Sequence, residues 1–361
     1  MNFQGLGKIE TADKYMDQAY GQGRKAILLS REDIKLGRRV DKERKSQRLE
    51  NIRVQTIGKE LCGVLNRILK SYPRFKDFDP FYKELAYATL NMDAIKIALA
   101  TVKWGIDRIE YLTREHSKQI KVAPLEKVNK IRTAYLGRVS SIMKRIDPKL
   151  KVLDEGRMLL KKFPTIKTGM STLVIAGFPN VGKSSVLRSL TGSDPEINSY
   201  PFTTKQLMLG YIKEGDRKIQ VIDSPGILDR PLGKLNSIEH QAVLAIQHLA
   251  DVVLYIADLS ETCGYTVKDQ EQLLTEIIRD FKAPVIVVCN KSDLPIVEQF
   301  KGKYNIMSVS TTKETGLSEL RQVVLTTMPI PDKKEPNKDV EVPQDMSFGD
   351  DESDVILDDD F

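Results

Sequence analysis

Residues 177–184 read Gly177, Phe178, Pro179, Asn180, Val181, Gly182, Lys183, Ser184, and the apolar run Leu173 to Ala176 feeds into them. Two glycines with four residues between them, then lysine and serine, make a loop that cradles phosphate. The glycines permit a tight turn that aims backbone N–H groups inward. Lys183 supplies a cation for the outer phosphates and the Ser184 hydroxyl a ligand for Mg²⁺. A helix from about Ser185 would add the positive end of its dipole. An ordinary strand-to-helix turn would explain this stretch alone, but further pieces follow in order.

The second piece, Tyr200 to Lys205 (Y-P-F-T-T-K), is polar and loop-like. A threonine here can ligate Mg²⁺ and sense a terminal phosphate through its N–H; Thr203 and Thr204 compete, and Thr204 is favoured. The third, Asp223 to Gly226 (D-S-P-G), ends the strand-like run 218–222. Asp223 can hold the Mg²⁺ shell through water, and the Gly226 N–H can meet the terminal phosphate. The fourth is Asn290, Lys291, Ser292, Asp293, after the buried-type strand Val285 to Cys289. The Asp293 carboxylate can accept from N1–H and the exocyclic amine of guanine, a pattern adenine lacks, so this piece selects GTP over ATP. The fifth, Ser310, Thr311, Thr312, follows 305–309 and can support the base through backbone N–H groups.

These five pieces resemble the GTPase branch of the P-loop NTPases over roughly residues 171–329. The resemblance implies phosphoryl transfer from GTP to water, stabilised by Mg²⁺, Lys183 and the loop amides, with Thr204 and Gly226 holding two switch loops until hydrolysis. Two details narrow it. In some related GTPases an asparagine at the place of Asn180 helps bind K⁺; the alternative is that Asn180 only hydrogen-bonds a switch loop. Ile227 stands where many GTPases carry a water-orienting glutamine, so slow intrinsic hydrolysis is expected. His240 is either a replacement base or a residue on an exposed helical face.

The elements that must position these groups are legible in outline. The chain has 361 residues, 41% of them apolar, enough for two domains and a tail. No 18-residue uncharged apolar run is present and no secretion signal is read at the N-terminus, so no membrane partner is expected. Three scattered cysteines, Cys62, Cys263 and Cys289, suit free, partly buried thiols in a reducing compartment. Three isolated histidines and no paired cysteines argue against structural zinc.

Charge divides the chain. Residues 1–165 carry 36 Lys+Arg against 20 Asp+Glu, residues 166–330 carry 17 against 18, and residues 331–361 carry 3 against 12. The first segment reads as a basic helical bundle. One long helix is expected from Pro80, with Leu85, Ala88, Met92, Ile95, Leu99, Val102, Ile106 and Ile109 on one face. A second runs from Leu125 to Ile146 and stops at Asp147-Pro148, and a third from about Val54 to Leu69. Residues 1–30 are expected to be loosely organised, apart from a short helix near Ala12 to Gln22. The candidate RNA-backbone readers are Arg31, Lys35, Arg38, Arg39, Lys42, Arg44, Lys45, Arg48 and Arg53; the alternative is a solvated helix laced with ion pairs. Residues 166–330 are expected to form a mostly parallel sheet with helices on both faces. Strands near Leu173, Leu207, Lys218, Val252, Val285 and Asn305 would form it, the second and third as a hairpin. The acidic tail, 331–361, is expected to be disordered.

A basic helical domain before a GTPase domain reading G-F-P-N-V-G-K-S, Y-P-F-T-T-K and D-S-P-G-I-L-D-R-P closely resembles the nucleolar GTP-binding protein family, a branch of the Obg-related GTPases. Asp79-Pro80-Phe81-Tyr82 also looks like that family's N-terminal domain. The resemblance implies GTP/GDP and Mg²⁺ as ligands. Its implied partners are rRNA and the large ribosomal subunit or its precursor, with ribosomal assembly proteins alongside. The long C-terminal extension of eukaryotic members is missing, so a short archaeal-type, cytoplasmic form is expected rather than a nucleolar one. The alternatives are a GTPase of RNA modification or of a membrane-linked process, with a dimerising helical domain, and a scaffold that binds GTP but barely hydrolyses it.

Overall fold

The computed structural model describes residues 2–35, 42–199, 206–231, 233 and 235–329. The N-terminal part is all helix: α1 Ala12–Lys35, α2 Lys42–Ser71, α3 Pro80–Thr89, α4 Met92–Val122 and α5 Leu125–Leu160. The apolar stripes read from the sequence form the interior. Val54, Leu61 and Leu65 of α2 meet Val102, Ile106 and Ile109 of α4 and Val128, Val139 and Ile146 of α5, all buried.

Three helix expectations are corrected. The stripe from Leu85 spans two helices, because Leu90 turns extended and Asn91 starts a new one, its side chain accepting from the Ala94 N–H at 3.0 Å. α3 and α4 therefore meet at 90°. Asp147-Pro148 does not stop α5, which runs on to Leu160. A proline inside a helix costs about 3 kcal/mol. Here burial of Leu150, Leu153 and Leu160 offsets it, and the Asp147 carboxylate accepts from the Ala12 N–H at 2.7 Å, starting α1. Residues 2–30 are not loose. Phe3, Leu6 and Ile9 are buried, and Phe3 packs against Phe78, Tyr82 and Phe163 with centroids 5.6–5.7 Å apart. Each such aromatic burial stabilises by roughly 1.5–3 kcal/mol. No single helix among the described residues is long and apolar enough to cross a membrane.

The second part is a seven-stranded sheet in the order β2-β3-β4-β1-β5-β6-β7. Its strands are β1 Thr172–Ala176, β2 Glu196–Ser199, β3 Gln206–Glu214, β4 Arg217–Asp223, β5 Val252–Ala257, β6 Val285–Cys289 and β7 Ile306–Ser308. β4, β1, β5, β6 and β7 run parallel, and the expected β3–β4 hairpin pairs Leu209 with Ile222. Every residue of β1 and β5 is buried, which requires cover on both faces. The helices are α6 Lys183–Thr191, α7 Ser237–Gln247, α8 Val267–Asp280 and α9 Leu317–Thr327. The sequence reading missed β2, a short edge strand. The three cysteines are free and buried. The tail expected to be disordered, 331–361, lies outside the described residues.

The two parts touch. α3 packs along α7, the helix that follows the Asp223–Gly226 loop. The Tyr82 hydroxyl accepts from the Ile166 N–H and donates to the Pro164 carbonyl, both at 2.9 Å, where the chain crosses from one part to the other.

Candidate nucleotide site

β1 ends at Ala176, and the chain must turn at once into α6. Gly177 and Gly182 take φ of 137° and 99° there. A Cβ at Gly177 would lie 2.2 Å from the Ile256 carbonyl oxygen, and one at Gly182 would lie 2.1 Å from Asn290 Nδ2, so only glycine fits either position. Asn180, at the exposed crown of the loop, has φ of 62°, a conformation asparagine tolerates. Phe178 is buried; Pro179, Val181 and Ser185 complete the turn into the first helical residues.

The polar groups inside the loop are held by substitutes. Lys183 Nζ donates to the Gly177 and Phe178 carbonyls, 2.8 Å each. Its burial pushes its pKa down, with Asp223 opposing the shift. Ser184 Oγ donates to Asp223 Oδ2 at 3.0 Å. Burial raises the Asp223 pKa, with Lys183 opposing. Asp223 Oδ1 and the Ser224 hydroxyl are buried with no hydrogen-bond partner among the described residues. A hydroxyl and a half-satisfied buried carboxylate side by side form an oxygen donor set suited to Mg²⁺.

The Asp223–Gly226 loop closes over the first loop. The Gly177 N–H donates to the Leu228 carbonyl at 3.0 Å, and the Gly226 N–H donates to the Asp229 carboxylate at 2.6 Å. The Asp229 carboxylate, held at the Gly226 N–H, raises the pKa of both Lys183 and Asp223 through its charge, a smaller effect than burial. Ile227 is buried and presents no polar atom to water. His240 lies on the exposed face of α7.

The base end is tied to the phosphate end by Asn290. Its N–H donates to the Ala257 carbonyl at 2.8 Å, its Nδ2 to the Val181 carbonyl at 2.9 Å, and its Oδ1 accepts from the Thr311 N–H at 3.2 Å. Ser310 Oγ donates to Asp293 at 2.5 Å and accepts from the Lys313 N–H at 3.1 Å. That bond from Ser310 holds the Asp293 carboxyl below its ordinary pKa, leaving an exposed anionic acceptor. Thr312 belongs to the same turn, closed by the pairing of Ser310 with Thr315.

Sequence reasoning missed two groups. Asp258, at the end of β5, is buried and accepts from Lys291 Nζ (2.7 Å), Thr262 Oγ1 (2.9 Å) and the N–H groups of Ser260 and Cys263 (2.9 Å each). It fixes Lys291, whose φ is 58°, and the loop that sets Tyr265 on Phe178 at 4.4 Å. The signal was available: a carboxylate directly after an apolar strand, as at Asp223. The other is Asp229.

The Tyr200–Lys205 piece, with Thr203 and Thr204, lies outside the described residues. So do Arg38 and Arg39 and the side chains of Lys35 and Lys42. Arg31, Arg44 and Arg48 are exposed and Lys45 is half-buried. Arg53 pairs with Glu50 at 3.2 Å, and Glu50 also meets Arg132 at 3.4 Å.

Comparison with known proteins gives a consistent relationship. Residues 25–167 match the NOG1 N-terminal helical domain, and residues 237–293 match nucleolar GTP-binding protein 1. An uncharacterized protein of Methanocaldococcus jannaschii is 42% identical over 71% of this chain and 72% of its own length. Nucleolar GTP-binding protein 1 of Encephalitozoon cuniculi is 38% identical over 71% of this chain and 49% of its own, and that of Drosophila melanogaster 33% over 89% and 50%. The chain thus spans about half the length of these nucleolar relatives. A crystal structure assigned to the same protein of Plasmodium falciparum aligns at 30% identity over 45% of this chain and 87% of that one, with a TM-score of 0.40. The chain belongs to the nucleolar GTP-binding protein 1 family of P-loop GTPases.

Proposed function

We propose that this protein is a slow GTP-hydrolysing switch that acts in assembly of the large ribosomal subunit and engages rRNA through its basic helical part. The observation that carries the switch is the unsatisfied cradle. Among the described residues, Asp223 Oδ1 and Ser224 Oγ are buried without partners, and Lys183 is folded onto its own loop's carbonyls. Buried polar groups left in this way call for a ligand, and phosphate with Mg²⁺ satisfies all of them. Ser184 and Asp223, with Thr204, would hold Mg²⁺, which neutralises charge on the transferring phosphate. Lys183 would turn from the loop carbonyls to the phosphates. Asp293 and Asn290, with Lys291 and the turn from Ser310 to Thr312, would read guanine. K⁺ at the exposed Asn180 is an optional second cation.

Partnership with rRNA or a pre-ribosomal particle rests on the charge of residues 1–165 and on the nucleolar names of the relatives. A cytoplasmic location is part of this proposal and rests on the 42% identity to the Methanocaldococcus jannaschii protein. The buried Ile227 favours one second reading, a GTP-binding scaffold with negligible turnover.

Two measurements test these readings. Asp293→Asn should abolish the preference for GTP over other purine nucleotides in a fluorescent-nucleotide competition; an unchanged preference refutes the guanine assignment. Co-sedimentation with large ribosomal subunits at two salt concentrations, with GTP, GDP or neither, should show salt-sensitive binding that depends on nucleotide. Equal binding in every nucleotide state sinks the switch, and GTP turnover unaffected by particles or K⁺ favours the scaffold.

A further inference from the structure

The nine basic residues between Arg31 and Arg53 drew attention in the sequence because they are dense. The structure shows a second cationic surface that no run of residues reveals. Along α5, the charged residues exposed from Lys127 to Lys151 are Lys127, Lys130, Arg138, Lys144, Arg145 and Lys151, all of them cations. None of the six forms an ion pair among the described residues. The acid in this stretch, Asp147, is half-buried and engaged with the Ala12 N–H.

Helical periodicity places these cations on one face, over a length of about 36 Å at 1.5 Å per residue. Between them the exposed positions are uncharged and of small or moderate size: Asn129, Thr133, Ala134, Gly137, Ser141 and Pro148. Nothing bulky there holds a polyanion away from the helix. The edge against α4 carries ring surface. Arg145 lies 4.7 Å above the Trp104 ring and Arg108 5.2 Å from that of Tyr111. A guanidinium over an aromatic ring retains N–H donors for phosphate. By contrast, α4 itself is mixed, with Lys103 paired to Asp107 at 2.8 Å.

A helix bundle gains no stability from six unpaired like charges on one face, since they repel one another. They fit a partner with regularly spaced negative charge. We propose that the face of α5 from Lys127 to Lys151, with Trp104 and Arg145 at its edge, contacts the phosphate backbone of RNA. This inference rests on the RNA-engaging role proposed above and assigns it to a surface. Recognition there is by charge and shape and is largely independent of base sequence.

Trp104 is the chain's one tryptophan, so it reports on this face alone. The full chain is titrated with a short RNA duplex, following Trp104 emission and the affinity by anisotropy of labelled RNA, over a range of salt. The variant Lys130→Gln/Arg138→Gln/Lys144→Gln is compared with the wild type and with Arg44→Gln/Arg48→Gln. All five positions are exposed, and thermal melts confirm that each variant folds. The α5 variant is expected to bind at least about tenfold more weakly and to flatten the log–log salt slope by about 2, since each lost phosphate contact removes roughly 0.7–0.9. Trp104 emission should change on binding to the wild type.

Wild-type binding that the α5 substitutions leave unchanged overturns this assignment but not RNA binding itself. Failure of the wild type to bind RNA at any salt overturns both. If the α5 variant keeps its RNA affinity but loses affinity for polyglutamate, the face serves an acidic protein segment and the assignment falls.

Discussion

The helical bundle and the nucleotide cradle treat buried polar groups in opposite ways. In the bundle, partners are found within the fold. The Tyr135 hydroxyl is shared between Thr113 Oγ1 at 3.0 Å and the Val54 carbonyl at 3.3 Å, and Tyr72 donates to the Leu153 carbonyl at 3.1 Å. Even the unbonded atoms of Glu50, Arg53 and Arg132 sit inside an ion-paired triad. In the cradle, among the described residues, Asp223 Oδ1 and Ser224 Oγ have no partner, and Lys183 Nζ bonds to the loop's own carbonyls. A closed network stabilises its own element, whereas an open one leaves its stabilisation to a ligand. The contrast separates structure from function without reference to any motif.

Four substitutions can break or sharpen it. The largest effect should come from Asp258→Ala, because Asp258 is a buried, charged hub near the cradle that is as fully bonded as the bundle. Removing one partner of a buried pair costs about 3–5 kcal/mol, measured by urea denaturation. Burial alone would raise the Asp258 pKa, but donors led by Lys291 outweigh it and hold the carboxyl below its ordinary value. Its stabilisation is therefore complete above an ordinary aspartate pKa of about 4 and lost as pH falls through the lower folded value. An acid titration should show this limb in the wild type and not in the variant.

Next, Lys183→Ala should weaken GTP binding about a hundredfold, the loss of a charged hydrogen bond of roughly 3 kcal/mol. It should leave ligand-free stability nearly unchanged; a large loss of stability would mean that the lysine serves the fold. Asp229→Ala is third. The Asp229 carboxylate occupies the Gly226 N–H that, in the proposed function, would meet the terminal phosphate. Its removal should raise affinity for a GTP analogue relative to GDP by about tenfold, the low end (about 1.5 kcal/mol) of the worth of a hydrogen bond to a charged group. Equal gains for both nucleotides would mean that it does not compete with the third phosphate. Smallest is Tyr135→Phe, expected to lower stability by about 1 kcal/mol with no change in nucleotide affinity.

The parts legible in the sequence were those where chemistry fixes residue type at a position. Gly177 and Gly182 could be read as backbone turns because any side chain would strike Ile256 or Asn290. The parallel strands were legible because β1 after Thr172 and β5 are continuous apolar runs, buried along their whole length. Helix ends were not, since periodicity gives a face but not a length. Asn91 begins a helix through a local bond to Ala94, and Pro148 is tolerated because of distant burial and Ala12. Asp229 went unread for a related reason: its partner lies in a loop whose folding no spacing predicts. The place of Asp258 after an apolar strand was legible, and only its loop partners were not. The α5 face escaped because its six cations are spread over 25 positions among neutral and buried residues.

The contact of α3 with α7 gives the molecule leverage. α7 follows the loop that would respond to the third phosphate, α3 rests on it, and α4 leaves α3 at a right angle. With 31 residues, α4 is about 46 Å long. A tilt of about 10° where α3 rests on α7, of the kind seen when packed elements shift, would sweep the far end of that arm through about 8 Å. One phosphate could thus be read out as a displacement larger than the phosphate itself.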